Sequence, residues 1–352
     1  MPQEATMRRR DFLTTSAVIG AGTLAGRAGV LSAQAGPQRA PAVSTRKPMP
    51  IILAGYAPQS SGFSTSLRRI GDRLAGKFKG EVDVKYVYNI LDLGYRAEDL
   101  LWLVESGVLT LSYMASSYFA DRVPDVAVGD LPFLFSDTAS ARAATDGRFG
   151  SGLTDRIEAG MNYRILGYFE NGFRHVSNRV RPVRTPADLK GLSIRVLPSQ
   201  ILARAFELLG AAPKIMDLSE ALAAVKAGTL DGQENPFANT VTYGIHNVHK
   251  FHTATNHSYL TRPIFVHRPT FDAWPRALQE EMRAAIGDAV TYQRDLHLKE
   301  EDEAAAAIRK VGGEIIDLTP EQHKMFVAAV NPVYGEARKK YSQELLGLVN
   351  LT

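Results

Sequence analysis

The sequence predicts an α/β protein of two lobes, each a mostly parallel sheet flanked by helices, with one long helix spanning both. Three observations carry this expectation. Short apolar strand patterns alternate with helical ones along most of the chain, glycines punctuate the helix ends, and residues 272–310 keep a helical pattern almost without a break. At 352 residues, 45% hydrophobic and 22% charged, the chain is long enough and apolar enough to bury a substantial core.

Residues 1–35 run from the cluster Arg8-Arg9-Arg10 through small and apolar residues to Ala33-Gln34-Ala35, an A-x-A cleavage pattern. They are expected to be a removable signal. Arg9-Arg10-Asp11-Phe12-Leu13 matches the twin-arginine pattern, which predicts export of a folded protein to a bacterial periplasm; a basic tail is the alternative. Gly20, Gly22 and Gly26 imitate part of a dinucleotide fingerprint, but no strand precedes them. Residues 36–50, rich in Pro and Ala, read as a linker.

The body begins with an apolar strand over Ile51 to Gly55 and a helix over Phe63 to Phe78, with Leu67, Ile70 and Leu74 on one face. Val82 to Tyr88 alternates as a strand, Ala97 to Ser106 is a helix stopped by Gly107, and Val108 to Met114 is the next strand. Further strands are expected at Arg164 to Phe169, Leu192 to Leu197 and Lys214 to Met216, with helices at Gln200 to Leu209 and Ser219 to Ala227. A helix over residues 272–310, with Pro275 in its first turn and Gly312 past its end, would be over about 50 Å long at 1.5 Å per residue. That exceeds the width of one lobe.

The net charge of +4 gives no footprint for nucleic acid, because residues 1–35 hold four Arg against Glu4 and Asp11 and leave the remainder near +2. With no cysteine, the chain has no disulfide, no thiolate zinc site, no cysteine nucleophile and no lipidated cysteine. Outside the signal, no apolar run reaches the length of a membrane span, so the exported chain is expected to be soluble. Gly71 to Lys77 has phosphate-loop spacing, but Phe78 stands where a Ser or Thr must hold magnesium. His246, His249, His252 and His257 suggest a metal site, yet their spacing crosses from a helix end into a strand with no acidic partner interleaved. Neither metal nor cofactor is expected. With no nucleophile elbow or zinc helix either, the chain is expected not to be an enzyme.

The informative stretch is residues 170–236. In the strand Leu192 to Leu197, alternation sets Arg195 on one face with Ser193 and Leu197, inside a sheet where an unpaired guanidinium is costly. Such a group needs an anion: either an internal carboxylate or a ligand's, with the helix after Pro198-Ser199 adding its positive end. By itself Arg174 reads as a surface charge, and Asp231-Gly232-Gln233-Glu234-Asn235-Pro236 as a turn.

ENGFRHVSNRVRPVRTPADLKGLSIRVLPSQ and LLGAAPKIMDLSEALAAVKAGTLDGQENP together resemble the DctP-type solute-binding subunit of TRAP (tripartite ATP-independent periplasmic) transporters. VPDVAVGDLPFLFSD, LDLGYRAEDLLWLVESG and the late long helix are similar to that family too, so the likeness covers the chain after its signal. The resemblance implies a two-lobed periplasmic binding protein fold that closes by a hinge on a small organic acid and delivers it to the small and large integral membrane subunits. It implies Arg195 as the grip on the ligand carboxylate, Arg174 as its assistant and Asn235 as a further contact. By analogy, the loop Tyr56 to Gly62, with Gln59 and Ser60, and the strand end around Tyr113 to Ser116 face the ligand from the first lobe, and Phe173 and Phe237 offer apolar lining. The first lobe is expected to take residues 51–172 plus about 261–290, and the second 173–260 plus about 291–345. The acid is left open among dicarboxylates, sugar acids, aromatic acids and 2-oxo acids. A binding protein serving a sensor or an ATP-driven importer is the alternative.

Overall fold

A computed structural model describes residues 47–351; the signal at 1–35, its twin-arginine pattern and most of the linker lie outside the described residues. The strands are β1 (Met49–Ala54), β2 (Val82–Val87), β3 (Leu111–Tyr113), β4 (Tyr163–Asn178), β5 (Ser193–Val196), β6 (Ala212–Ile215), β7 (Gly232–Asn235), β8 (Phe251–His267) and β9 (Glu314–Asp317). They make one sheet in the order β2-β1-β3-β8-β4-β7-β5-β6, with β9 beside β8.

The sheet is mixed, and its mixture divides the molecule. β1 lies parallel to β2 and β3, and β5 lies parallel to β6 and β7. Between these sets run β4 and β8, long, antiparallel to each other and shared by both. β3 pairs with Ile264–Val266 at one end of β8, whereas β7 pairs with His175–Asn178 and β9 with Phe251–Ala254 at the other. The fold is therefore two-lobed, with two continuous strands crossing between the lobes.

The central strands extend well past the sequence expectation. Glu170-Asn171-Gly172 reads as the end of a strand, yet Gly172 takes φ +81 at a bulge and lets β4 continue to Asn178. A side chain there would also collide with the His297 ring, so glycine is needed twice over. β8 carries His, Thr, Asn and Pro and shows no clean alternation, but pairing on both edges holds it extended. The stretch Gly232–Asn235, read as a turn, is β7, buried at every position between β4 and β5.

Helices cover the sheet where the patterns place them. The helix Gly62–Lys77 starts at Ser61, whose hydroxyl accepts from the Ser64 N–H, and buries Leu67, Ile70 and Leu74 completely. Each such side chain contributes about 1.5–3 kcal/mol by leaving water. The late helical pattern is divided: Arg268–Asp272 is separate, and Pro275 caps Arg276–Lys310, since proline suits a helix start and not its interior. Its 35 residues, about 52 Å long, pack against Gly62–Lys77 in one lobe and against Phe237–Thr242 and β9 in the other.

Candidate functional site

Arg195 sits on β5, flanked on its two edges by β6 and β7. It is 1% exposed. Its Nε and Nη2 donate to the Met216 carbonyl at 3.2 and 2.9 Å, and Nη2 lies 3.5 Å from the Tyr118 hydroxyl. Among the described residues no carboxylate pairs with it. Ser199 caps the helix Gln200–Leu208 by accepting from the Leu202 N–H at 3.2 Å.

Arg174, on β4, is equally buried but differently satisfied. Its Nε and Nη2 clasp the Glu234 carboxylate, and Nη2 also donates to the Glu234 carbonyl at 2.5 Å. Burial alone would raise the Glu234 carboxyl; Arg174, and then His257 with Nε2 at 3.4 Å, outweigh it and bring the carboxyl down to about 2. Arg174 is thus an internally neutralised cation and not the surface charge its local sequence suggests. Asn235, at the end of β7, gives its Nδ2 hydrogen to Gln233 Oε1 at 2.6 Å, and its Oδ1 faces Asn239 Nδ2 at 3.5 Å.

These three residues meet at one tight cavity. The lining is Tyr56, Ala115, Tyr118, Asn171, Arg174, Arg195, Leu197, Leu218, Asn235, Asn239, Tyr243 and Arg262, with no Asp or Glu. The first lobe's contribution differs from expectation. Tyr113, completely buried, packs 5.2 Å from the Phe63 ring behind the cavity wall, and Ser116 is buried beside the lining Ala115 and Tyr118. Gln59 and Ser60 stay on the turn before the first helix, away from the lining. Phe173 packs on Tyr259 at 5.1 Å, and Phe237 lies on the His175 ring at 4.2 Å, so neither lines the cavity.

Tyr56, at the start of the loop expected to face the ligand, does line the cavity, whereas sequence reasoning missed Tyr118, Asn171, Tyr243 and Arg262. Arg262 lies in a stretch assigned to no strand, so nothing in the local pattern showed it to be inside. The histidines do not converge on a metal: among the described residues no group of three or more His, Cys, Asp or Glu is placed to hold one. His249, His252 and His257 are buried singly, against Ser177, the His249 carbonyl and Thr255 respectively. No described helix is long and apolar enough to cross a membrane.

The lobes touch directly beside the cavity. Asp217, capping the helix Leu218–Lys226, accepts from the Ala97 and Glu98 N–H groups of the first lobe at 3.3 and 3.1 Å. The Tyr118 hydroxyl accepts from the Leu218 N–H at 3.2 Å.

A family model for bacterial extracellular solute-binding proteins, family 7, named DctP, matches residues 53–340. The chain belongs to the DctP family. It is 32% identical over 263 residues to the 2,3-diketo-L-gulonate-binding periplasmic protein YiaO of Escherichia coli, covering 74% of this chain and 79% of that one. With the C4-dicarboxylate-binding periplasmic protein DctP of Rhodobacter capsulatus it shares 30% over 280 residues, 79% of this chain and 83% of the other. A TRAP periplasmic solute-binding protein from Bordetella, its density interpreted as pantoate, superposes with a TM-score of 0.80 at 26% identity over 86% of this chain and 99% of that one. In this DctP-family protein, Arg174, Arg195 and Arg262 line one cavity.

Proposed function

We propose that this protein captures a small organic acid between its lobes, anchored by Arg195, and presents it to the integral membrane subunits of a TRAP transporter. The observation that carries this reading is Arg195 itself: a guanidinium 1% exposed, held in place by a backbone carbonyl and a tyrosine hydroxyl, with no carboxylate against it among the described residues. Burying a cation without a counter-charge costs several kcal/mol, and a bidentate carboxylate supplies both the charge and the geometry of the planar fork. Arg174, tied to Glu234, offers a preset edge beside the anchor, and Asn235 an amide that discriminates by hydrogen bonding.

Closure follows as rotation of residues 51–172 plus about 261–290 over residues 173–260 plus about 291–345. Support comes from the change of strand partners near Gly172 on β4 and Leu260 on β8. The Asp217 and Tyr118 bridges then mark the closed form that the membrane partner meets. The Arg9-Arg10 pattern and the A-x-A site support twin-arginine export beforehand, and the cavity serves binding without turnover. Thermal-shift screening against organic acids and their neutral amides tests the reading. A binding acid at a hundredfold excess over Kd adds about 2.7 kcal/mol to stability and raises Tm by several degrees. Stabilisation by the neutral compounds and not by the acids would contradict it.

A further inference from the structure

We propose that Arg262 is a second anion-binding subsite of the same cavity, so that the ligand carries two negatively charged groups, one for each lobe. This deepens the reading above and rests on it. Arg262 lies on β8 in the first-lobe half of the sheet, opposite Phe169, whereas Arg195 comes from β5 in the other half. It is 2% exposed. Its Nε and Nη2 both donate to Asn171 Oδ1, at 3.1 and 2.7 Å, the Tyr243 hydroxyl lies beside the guanidinium, and Nη1 makes no hydrogen bond of good geometry among the described residues.

The setting fixes the guanidinium without neutralising it. Its centre lies 3.9 Å from the Phe63 ring centroid and 4.8 Å from that of Tyr56, an aromatic shelf that holds the plane in one orientation. Asn171 is neutral, and it also accepts from Asn239. The Glu300 carboxylate feels its charge but forms no ion pair with it and instead accepts the Gly62 N–H at 2.7 Å. His297 also faces this region and is kept neutral, its pKa lowered to about 4, first by burial and then by Arg262.

Counting charge around the cavity completes the argument. Arg174 is cancelled by Glu234, so the lining carries two uncompensated cations, Arg195 and Arg262, and no anion. A ligand with one carboxylate leaves one of them buried and unpaired when the lobes close, whereas a ligand with two satisfies both.

The test uses isothermal calorimetry on the full exported protein with unbranched α,ω-dicarboxylates of three to six carbons, with and without a 2-hydroxyl, and the monoamide of each. The expected result is a dicarboxylate that binds at least thirtyfold more tightly than its own monoamide. Arg262→Gln should reduce that ratio to threefold or less. A monoamide that binds the unaltered protein as tightly as its dicarboxylate overturns the second subsite and leaves the first intact, a comparison that needs no variant. Binding by none of the acids overturns both. A ratio that persists in folded Arg262→Gln assigns the second group elsewhere and overturns the role of Arg262.

Discussion

Arg174 and Arg195 lie two strands apart in one lobe, are almost equally buried and line the same cavity, yet they are opposite electrostatic objects. Arg174 has its counter-charge built in, on the neighbouring strand β7, where Glu234 reaches it with both carboxylate oxygens. Arg195 has a carbonyl and a hydroxyl, which orient it without cancelling it. One is an internal strut; the other is a socket left for an anion. The contrast shows that burial of an arginine identifies neither role, and that the partner's charge does.

The largest expected effect comes from breaking the strut. Glu234→Gln removes the charge opposite Arg174 while keeping the side chain's shape, and should cost about 3–5 kcal/mol of stability. Arg195→Met, an equally drastic change on the socket, should leave the unliganded protein unchanged or slightly more stable while abolishing binding. Urea titrations of both variants check the pair. Comparable destabilisation by the two would erase the distinction.

Acid sharpens the comparison next. Glu234 has its pKa lowered to about 2, and His175, His249, His252 and His297 are lowered to about 3, 3, 4 and 4, each histidine chiefly by burial. A group depressed in the folded state adds stability that is present above its unfolded pKa and is lost as pH falls toward the folded one. The histidine share is therefore lost from about pH 6.5 downward, and the Glu234 share only from about pH 4.5 toward 2. Thermal melts should fall by several degrees between pH 7 and pH 5, before the strut titrates. A flat Tm over that interval would show these histidines to be solvated in the folded protein.

The smallest effect is at the socket's rim. Tyr118→Phe removes a hydroxyl that faces Arg195 and accepts from the Leu218 N–H across the cleft. It should cost about 1 kcal/mol, seen as weaker ligand affinity with the fold intact.

Much of this contrast was legible in the sequence on one side of the cavity only. Arg195 stands in a clean five-residue alternation ahead of a capped helix, so its inward direction could be read from the pleat. Arg174 could not, because Glu170-Asn171-Gly172 looks like a strand's end and only the +81 φ of Gly172 keeps β4 running. Glu234, its partner, lies in a stretch whose Asp-Gly and Asn-Pro pairs say turn, while its pairing with both neighbours makes it a strand. Arg262 and Tyr118 were invisible for another reason: they are brought to the cavity by β8 and by a segment after β3 whose course depends on long-range packing and not on local periodicity. The family resemblance supplied Arg174, Arg195 and Asn235 in the second lobe, whereas Gln59, Ser60, Tyr113 and Ser116 of the first lobe and Phe173 and Phe237 of the second are not among the lining residues.

The most direct test is calorimetry of the same acid against the unaltered protein and a folded Arg195→Lys variant, which keeps the charge and loses the planar fork. If Arg195 is the socket, affinity falls by roughly 10- to 150-fold, the equivalent of about 1.5–3 kcal/mol for charge-assisted hydrogen bonds. Equal affinity in the two proteins would mean that the carboxylate is gripped somewhere else.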